Sequence, residues 1–225
     1  MRVEGAVLTP PLEASSLAER AYYAIRDLIV SLELAPGAVI DERELMGRVG
    51  AGRTPVREAL RRLAQERLVE VYPRRGMFVT SVEIHDLASL SEVRTVLESH
   101  CARLAAERAS DSDRAELDAL IGQLDAGAGL GQRALMELDH RIHRQVYRCA
   151  HNHFLETTLE EYYALALRIW FLALDRGVEL RGAVLEHREL LETIRAGEAV
   201  RAEDAMRAHV LGFEQEIRRV LVGGA

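Results

Sequence analysis

The stretch Gly52–Leu63, GRTPVREALRRL, groups four arginines and one glutamate in a chain whose formal net charge is −7. If this stretch begins a helix, Arg53, Thr54 and Arg57 share its first turn. A guanidinium can make a bidentate contact with O6 and N7 of guanine, while threonine at a helix N-terminus suits a phosphate or a thymine methyl. The grouping therefore predicts a recognition helix for the DNA major groove.

Four potential metal ligands lie in the second half of the chain. Asp139 and His143 are four residues apart, so a helix projects both from one face. His187 precedes Ala196-Gly197 by about as many residues as His209 follows it, so a reversal of the chain there brings the two together. Three imidazoles and one carboxylate suit a divalent transition metal such as Zn²⁺, Ni²⁺ or Mn²⁺.

The basic group is placed by three helices. The sequence predicts a first helix over Leu17–Ser31 and a second that is capped by Asp41 and ends at Gly50. It predicts that Thr54 caps the third helix, with Pro55 in its first turn and Glu58 near a capping-box position. This helix is expected to end near Gln65 or Arg67.

A β-hairpin is expected after the third helix. LVEVY and MFVTSV alternate in polarity and flank the tight turn PRRG. Its tip, Arg74, Arg75 and Gly76, is positioned to reach phosphates or the minor groove. Three helices followed by a hairpin is the order of a winged helix-turn-helix.

The remainder of the chain is almost purely helical. Breaks in the apolar periodicity predict about six helices, and their apolar stripes favour an antiparallel bundle. The expected fold is mainly α, with an N-terminal winged helix-turn-helix and a C-terminal all-α antiparallel helical bundle. The predicted helices are 85–109, 112–125, 132–150, 153–175, 179–196 and 198–221.

Charge follows the same division of the chain. Residues 1–80 hold 12 Arg against 11 acidic residues, whereas the remainder holds 17 against 25. We expect a flexible arm at 1–15, a DNA-binding domain at 16–82, and an effector-binding and dimerisation domain at 83–222. The basic feature is a local patch, so the acidity of the whole chain does not exclude a nucleic-acid partner.

The composition of the chain also indicates the cellular compartment in which the protein is expected. Cys101 and Cys149 have no metal-binding spacing and are expected to be reduced thiols. No apolar run approaches ~18 residues, and the N-terminus lacks the pattern of a signal peptide. The expectation is a cytoplasmic protein without a membrane partner.

The segment ERELMGRVGAGRTPVREALRRLAQERLVEVYPRRGMFV resembles the DNA-binding domain of the GntR family of bacterial regulators. The octet RTPVREAL carries the likeness, which covers about residues 17–82. Two departures are Gly52, where the family has Ser, and Arg67, where it has Gly. The resemblance implies operator contacts by Arg43, Arg53, Thr54, Arg57 and the wing glycine Gly76.

The second half resembles the FCD domain, the effector domain of the FadR branch of this family, over about residues 87–217. The motif DHRIH carries Ile142 where Phe is common, and EHR and a late histidine follow. The likeness implies that Asp139, His143, His187 and His209 are metal ligands and that Arg94, in EVRTVLE, faces the effector. About six helices favour the shorter, VanR-like arrangement.

Three functions of different class remain open from the residues. The favoured one is a ligand-responsive repressor that binds an inverted-repeat operator as a homodimer and senses a small carboxylate. A metalloenzyme is disfavoured, because no additional acid or base stands at a motif-like spacing. A structural DNA-binding dimer without an effector leaves the four ligand-type side chains unexplained.

Overall fold

This computed structural model describes residues 16–83, 86–126, 129–174 and 180–222. The chain divides into two compact units, Met1–Glu83 and Ile84–Ala225, and each is described by itself. The arm expected at 1–15 lies outside the described residues.

Over residues 16–83 the first unit contains three helices and a two-stranded antiparallel sheet, in the order of a winged helix-turn-helix. This confirms the order of elements predicted from the sequence. The elements are α1 (Leu17–Val30), α2 (Glu42–Val49), α3 (Arg53–Gln65), β1 (Val69–Tyr72) and β2 (Gly76–Val79).

The first two helices begin at side-chain caps. Ser16 accepts a hydrogen bond from the backbone N–H of Glu19 at 3.0 Å, and Asp41 accepts from two backbone N–H groups at the start of α2. These bonds satisfy donors that have no partner within the helix. At the other end of α2, Gly50 has a φ of 63°, a left-handed conformation that ends the helix before the turn.

The prediction that Thr54 caps α3 is wrong. The N-cap is Gly52, whose carbonyl accepts from the N–H of Val56 at 3.2 Å and which has no side chain to make a capping bond. Thr54 is therefore already helical. Pro55 still fits, because N–H groups of the first turn have no intrahelical acceptor in any case.

The hairpin pairs Val69 with Val79 and Tyr72 with Gly76. Its turn is closed by a 3.1 Å bond from the N–H of Arg75 to the carbonyl of Tyr72. Arg74 and Gly76 have φ values of 65° and 102°, so the chain reverses tightly and presents the tip residues to solvent.

The core of the first unit lies between α1 and α3, which pack against each other. Apolar side chains at helical spacing are completely or almost completely buried, which fixes the position of α3 on the domain. Ile25 and Ile29 of α1 and Leu60 and Leu63 of α3 belong to this set, and Leu45 of α2 and Leu68 after α3 are buried as well.

The second unit is a helical bundle, as the sequence predicts. Within it α4 packs against α6, α7, α8 and α9, so α4 lies at the centre of the bundle. The helices are α4 (Asp86–Arg108), α5 (Asp111–Ala126), α6 (Gln132–Cys149), α7 (His153–Leu174), α8 (Leu180–Ala196) and α9 (Ala199–Val222).

The chain reverses between α8 and α9 at Gly197, whose φ is 76°. The N–H of Gly197 donates to the carbonyl of Ile194 at 3.0 Å, and the N–H of Glu198 donates to that of Thr193 at 2.9 Å. This glycine C-cap closes α8 and lets α9 pack back along it.

Both cysteines, Cys101 and Cys149, are buried and free. Burial raises the pKa of the Cys149 thiol to about 12. Of the helices within the described ranges, none combines the length and apolar character needed to cross a membrane.

Arg67 occupies a strained backbone position. Its φ is 61°, in the left-handed region that costs a residue with a side chain roughly 1–2 kcal/mol. We expect Arg67→Gly to raise the free energy of unfolding by about 0.5–1 kcal/mol, because removing the strain outweighs the greater entropy of glycine in the unfolded chain. Urea unfolding of the full chain, followed by circular dichroism, measures the change.

Arg61→Gly is the matched control, since Arg61 is exposed inside α3 and glycine there lowers stability by about 1 kcal/mol. Equal losses in the two variants would show that the backbone of Arg67 is not strained.

Candidate functional site

The structure brings together the four predicted ligand residues. Asp139 and His143 come from α6, His187 from α8 and His209 from α9, and each is at most 7% exposed. One donor atom from each lies within 4.8 Å of all the others. A polar cluster this deeply buried is costly unless its groups are paired or bind an ion.

The donor atoms face one another. His143 Nε2 lies 3.1 Å from His187 Nε2, 3.9 Å from Asp139 Oδ2, and the Oδ1 atom of Asp139 lies 3.7 Å from His187 Nε2. The ring centroids of His187 and His209 are 4.1 Å apart. Bonds of about 2.0–2.2 Å to one ion separate neighbouring donors by roughly 3–4 Å, so the spacing fits a metal.

His143 is oriented by its outer nitrogen. Nδ1 lies 3.0 Å from Glu98 Oε2 and 3.2 Å from Tyr147 Oη, and the Tyr147 hydroxyl itself donates to Glu98 at 3.0 Å. Since an ionised carboxylate only accepts, these contacts assign the ring proton of His143 to Nδ1. The lone pair of Nε2 therefore points into the cluster.

Glu98 is ionised although it is completely buried. Burial opposes its ionisation, but the Arg94 guanidinium, 2.5 Å away, and His143 outweigh burial and lower the pKa of Glu98 to about 2. Arg94 is also buried and lies 5.5 Å from the ring centroid of Phe213. The outer face of the cluster is thus a charged pair that holds one histidine.

His187 and His209 are held neutral. Burial is the main cause that lowers the pKa of His187 to about 4, and burial with the neighbouring histidines lowers that of His209 well below its usual range. His187 Nδ1 lies 3.2 Å from the carbonyl of Val184, which only accepts, so Nδ1 carries the proton. Both imidazoles are in the form that binds metals.

Asp139 and His209 each present an atom that has no hydrogen-bond partner among the described residues. The Tyr163 hydroxyl donates to Asp139 Oδ2 at 2.5 Å, which leaves Oδ1 without a bond, and the same holds for His209 Nδ1. Buried polar atoms in folded proteins are nearly always satisfied. These two atoms belong to residues whose donor atoms lie together, so a bound cation could satisfy them.

Sequence reasoning missed Glu98, Tyr147 and Tyr163 as the outer partners of these ligands. The spacing contains a signal for two of them, because Glu98 follows Arg94 by four residues and Tyr147 follows His143 by four. Tyr163 reaches Asp139 from another helix, α7, and only the packing of the bundle reveals that contact.

The predicted DNA-contact residues lie on the surface of the first unit. Arg53 and Arg57 at the start of α3 have side chains 69% and 54% exposed. Arg43 on α2, Thr54 on α3 and the hairpin tip are exposed as well. The cationic side chains therefore stand where solvent, and a nucleic acid, can reach them.

Arg53 and Arg57 both contact one carboxylate that the sequence did not indicate. Glu42 Oε1 lies 3.2 Å from Arg57 Nε, and Glu42 Oε2 lies 3.6 Å from Arg53 Nε. At the hairpin tip, the Arg75 guanidinium lies 5.8 Å from the ring centroid of Tyr72. Three arginines of the basic surface, Arg53, Arg57 and Arg75, therefore contact neighbouring side chains of the same unit.

Arg62 contacts other residues than Arg53 and Arg57 do. Its guanidinium lies 3.7 Å from the ring centroid of Tyr22 and pairs with Glu66 at 3.1 Å, while the Tyr22 hydroxyl donates to Glu66 at 2.7 Å. Burial raises the pKa of the Tyr22 phenol. This group fastens α3 to α1 and is part of the domain structure.

A winged helix-turn-helix unit and a helical bundle with a buried ligand cluster define a class, the helix-turn-helix transcription regulators with a separate helical domain. Residues 17–79 match the family described as bacterial regulatory proteins, gntR family, and residues 89–212 match the FCD domain. The chain belongs to the GntR family and carries an FCD domain. The family consists of transcriptional regulators and not of enzymes, so the metalloenzyme alternative is set aside.

Two relatives and one solved structure illustrate the likeness. An uncharacterized HTH-type transcriptional regulator in an unstable DNA locus of Streptomyces ambofaciens is 33% identical over 88% of this chain and 84% of its own. A probable D-xylose utilization operon transcriptional repressor of Paenarthrobacter nicotinovorans is 30% identical over 84% and 85%. The structure of E. coli McbR/YncC, 22% identical, covers 92% of this chain and 98% of its own with a TM-score of 0.77, which shows the same fold.

Proposed function

We propose that this regulator is a cytoplasmic repressor that binds an inverted-repeat operator as a homodimer and senses a small organic acid at a metal held in its FCD domain. Operator contact is assigned to Arg43, Arg53, Thr54 and Arg57, with Arg74, Arg75 and Gly76 at the wing. The metal ligands are Asp139, His143, His187 and His209. The matching P. nicotinovorans protein is named a probable repressor, which supports repression over activation.

One observation carries the metal assignment. His143 Nε2 and His187 Nε2 face each other at 3.1 Å, and the partners of both rings place the proton on the opposite nitrogen. Two lone pairs at this distance in a dry interior repel unless a cation or a proton lies between them. The pKa of about 4 for His187 disfavours the proton at neutral pH, so a cation is the better occupant.

The donor set also suits the ion. Neutral imidazoles and a carboxylate are ligands for Zn²⁺, Ni²⁺ or Mn²⁺, and the outer bonds from Glu98 and Tyr163 are of the kind that orient metal ligands in proteins. When bound, such a metal supplies a Lewis-acid centre to which a carboxylate can coordinate. Asp139 and the three histidines leave coordination positions for it.

Arg94 supports an anionic effector. Its Nε donates to Glu98 at 2.5 Å, and its guanidinium carries two further nitrogens that can donate. Arg94 can therefore hold Glu98 and still donate to a second carboxylate. The dimer can place its DNA-binding domains in two arrangements. If the free energy of effector binding differs between them by ~1–3 kcal/mol, the effector changes operator affinity by one or two powers of ten.

The metal assignment predicts that His187→Ala lowers metal affinity by at least the ~10- to 100-fold that loss of a mere outer partner causes, because a direct ligand is removed. Elemental analysis of purified protein after dialysis against Zn²⁺, Ni²⁺ or Mn²⁺ measures the bound metal. His100→Ala, on the exposed face of α4, is the control and should keep the wild-type content. Unchanged metal in His187→Ala would place the site elsewhere.

The effector assignment predicts that a small organic acid raises the melting temperature of metal-loaded protein and leaves metal-free protein unaffected. A ligand at 100 times its Kd stabilises the folded state by about 2.7 kcal/mol. A thermal-shift screen of organic acids measures this, with the uncharged amide of each active acid as the control. If no acid shifts the loaded protein, or acid and amide act equally, the structural DNA-binding alternative is favoured.

The DNA assignment predicts that Arg53→Ala or Arg57→Ala weakens specific binding by ~1–3 kcal/mol and leaves metal content intact. Fluorescence anisotropy on a duplex enriched from a random library by the wild-type protein, at two salt concentrations, measures the loss. Arg61→Ala, exposed further along α3, should change affinity less and alike for all sequences. Unchanged affinity and salt dependence in the Arg53 and Arg57 variants would exclude α3 as the reader.

A further inference from the structure

Glu42 connects the two helices of the helix-turn-helix through the reading arginines. It is the first residue of α2, and its side chain is 20% exposed. Each carboxylate oxygen takes one guanidinium from α3, Oε1 that of Arg57 at 3.2 Å and Oε2 that of Arg53 at 3.6 Å. One acidic side chain therefore lies between two cations that are four residues apart on one face.

Both arginines approach Glu42 through Nε. Nε makes the closest contact in each ion pair, and the hydrogen bond from Arg57 to Glu42 also comes from Nε. A guanidinium carries two further nitrogens, which are donors that a bidentate contact to guanine or a phosphate can use. A restraint at Nε is thus compatible with a DNA contact by the same side chain.

Folding stability does not account for this arrangement. Ion pairs this exposed contribute little to the free energy of folding, since water screens them and long side chains lose entropy in making them. The consequence for DNA binding is larger, because side chains already ordered lose less entropy on docking. The carboxylate also offsets one positive charge, which weakens phosphate contacts on every sequence alike.

We propose that Glu42 is a positioning residue that determines sequence specificity: it holds Arg53 and Arg57 in the geometry that reads bases, and it suppresses binding to unrelated DNA. This inference rests on the proposed role of α3 in operator reading. It goes beyond that role by assigning to an acidic residue the selection between DNA sequences.

The probes are a duplex enriched from a random library by the wild-type protein and a scrambled duplex of the same composition. The measured quantity is the ratio of their dissociation constants in the full-length protein at fixed salt. Glu42→Gln removes the charge, and Glu42→Asp keeps the charge but shortens the reach by one methylene. Glu44→Gln is the matched control, since Glu44 is exposed on the same helix and forms no ion pair with any described residue.

In Glu42→Gln the scrambled duplex binds more tightly and the ratio falls about 10-fold, the size of one good base contact. In Glu42→Asp the ratio also falls, while affinity for the scrambled duplex stays at the wild-type value. In Glu44→Gln both affinities rise by the same factor, so the ratio stays within about 2-fold of wild type.

A Glu42→Gln ratio equal to that of Glu44→Gln would sink the proposal, because charge alone would then explain the effect. A wild-type ratio in Glu42→Asp would remove the positioning role. Failure of the proposed function looks different: wild-type protein then enriches no sequence from the library, or Arg53→Ala and Arg57→Ala leave the ratio unchanged.

Discussion

The ion pair between Arg94 and Glu98 is the interaction on which the buried cluster depends. An ionised carboxylate with 0% exposure is costly unless a cation compensates it. Arg94 supplies that cation at 2.5 Å, and the ionised Glu98 then fixes the proton of His143 on the outer nitrogen. Through these contacts the charge of Glu98 on α4 decides which ring nitrogen of His143 on α6 faces the rest of the cluster.

The two units use electrostatics in opposite settings. In the bundle Arg94 and Glu98 are buried, so this pair holds its geometry firmly and an unpaired atom beside it is costly. On α3 the arginines are more than half exposed, so their contact with Glu42 is weak and exchangeable. A weak restraint still orders the two arginines, whereas the firm restraint in the buried cluster fixes the orientation of its side chains.

Much of the fold was predictable because it depends on local physics. The order of elements in the first unit and the helical nature of the second follow from apolar periodicity, caps and turn residues, and the structure confirms them. The prediction that Thr54 caps α3 was wrong because the N-cap lies two residues earlier, at Gly52, which offers a carbonyl but no side-chain acceptor.

By itself, the sequence determined the helices, the reversal at Gly197, and the four ligand types whose spacing allows them to meet. Only the tertiary structure decided that Glu98, Tyr147 and Tyr163 surround the candidate ligands, and that Glu42 stands between Arg53 and Arg57. The physical reason is the separation along the sequence over which each interaction acts. Caps and periodicity act over a few residues, whereas these contacts join different helices and depend on how side chains pack across the core and the surface.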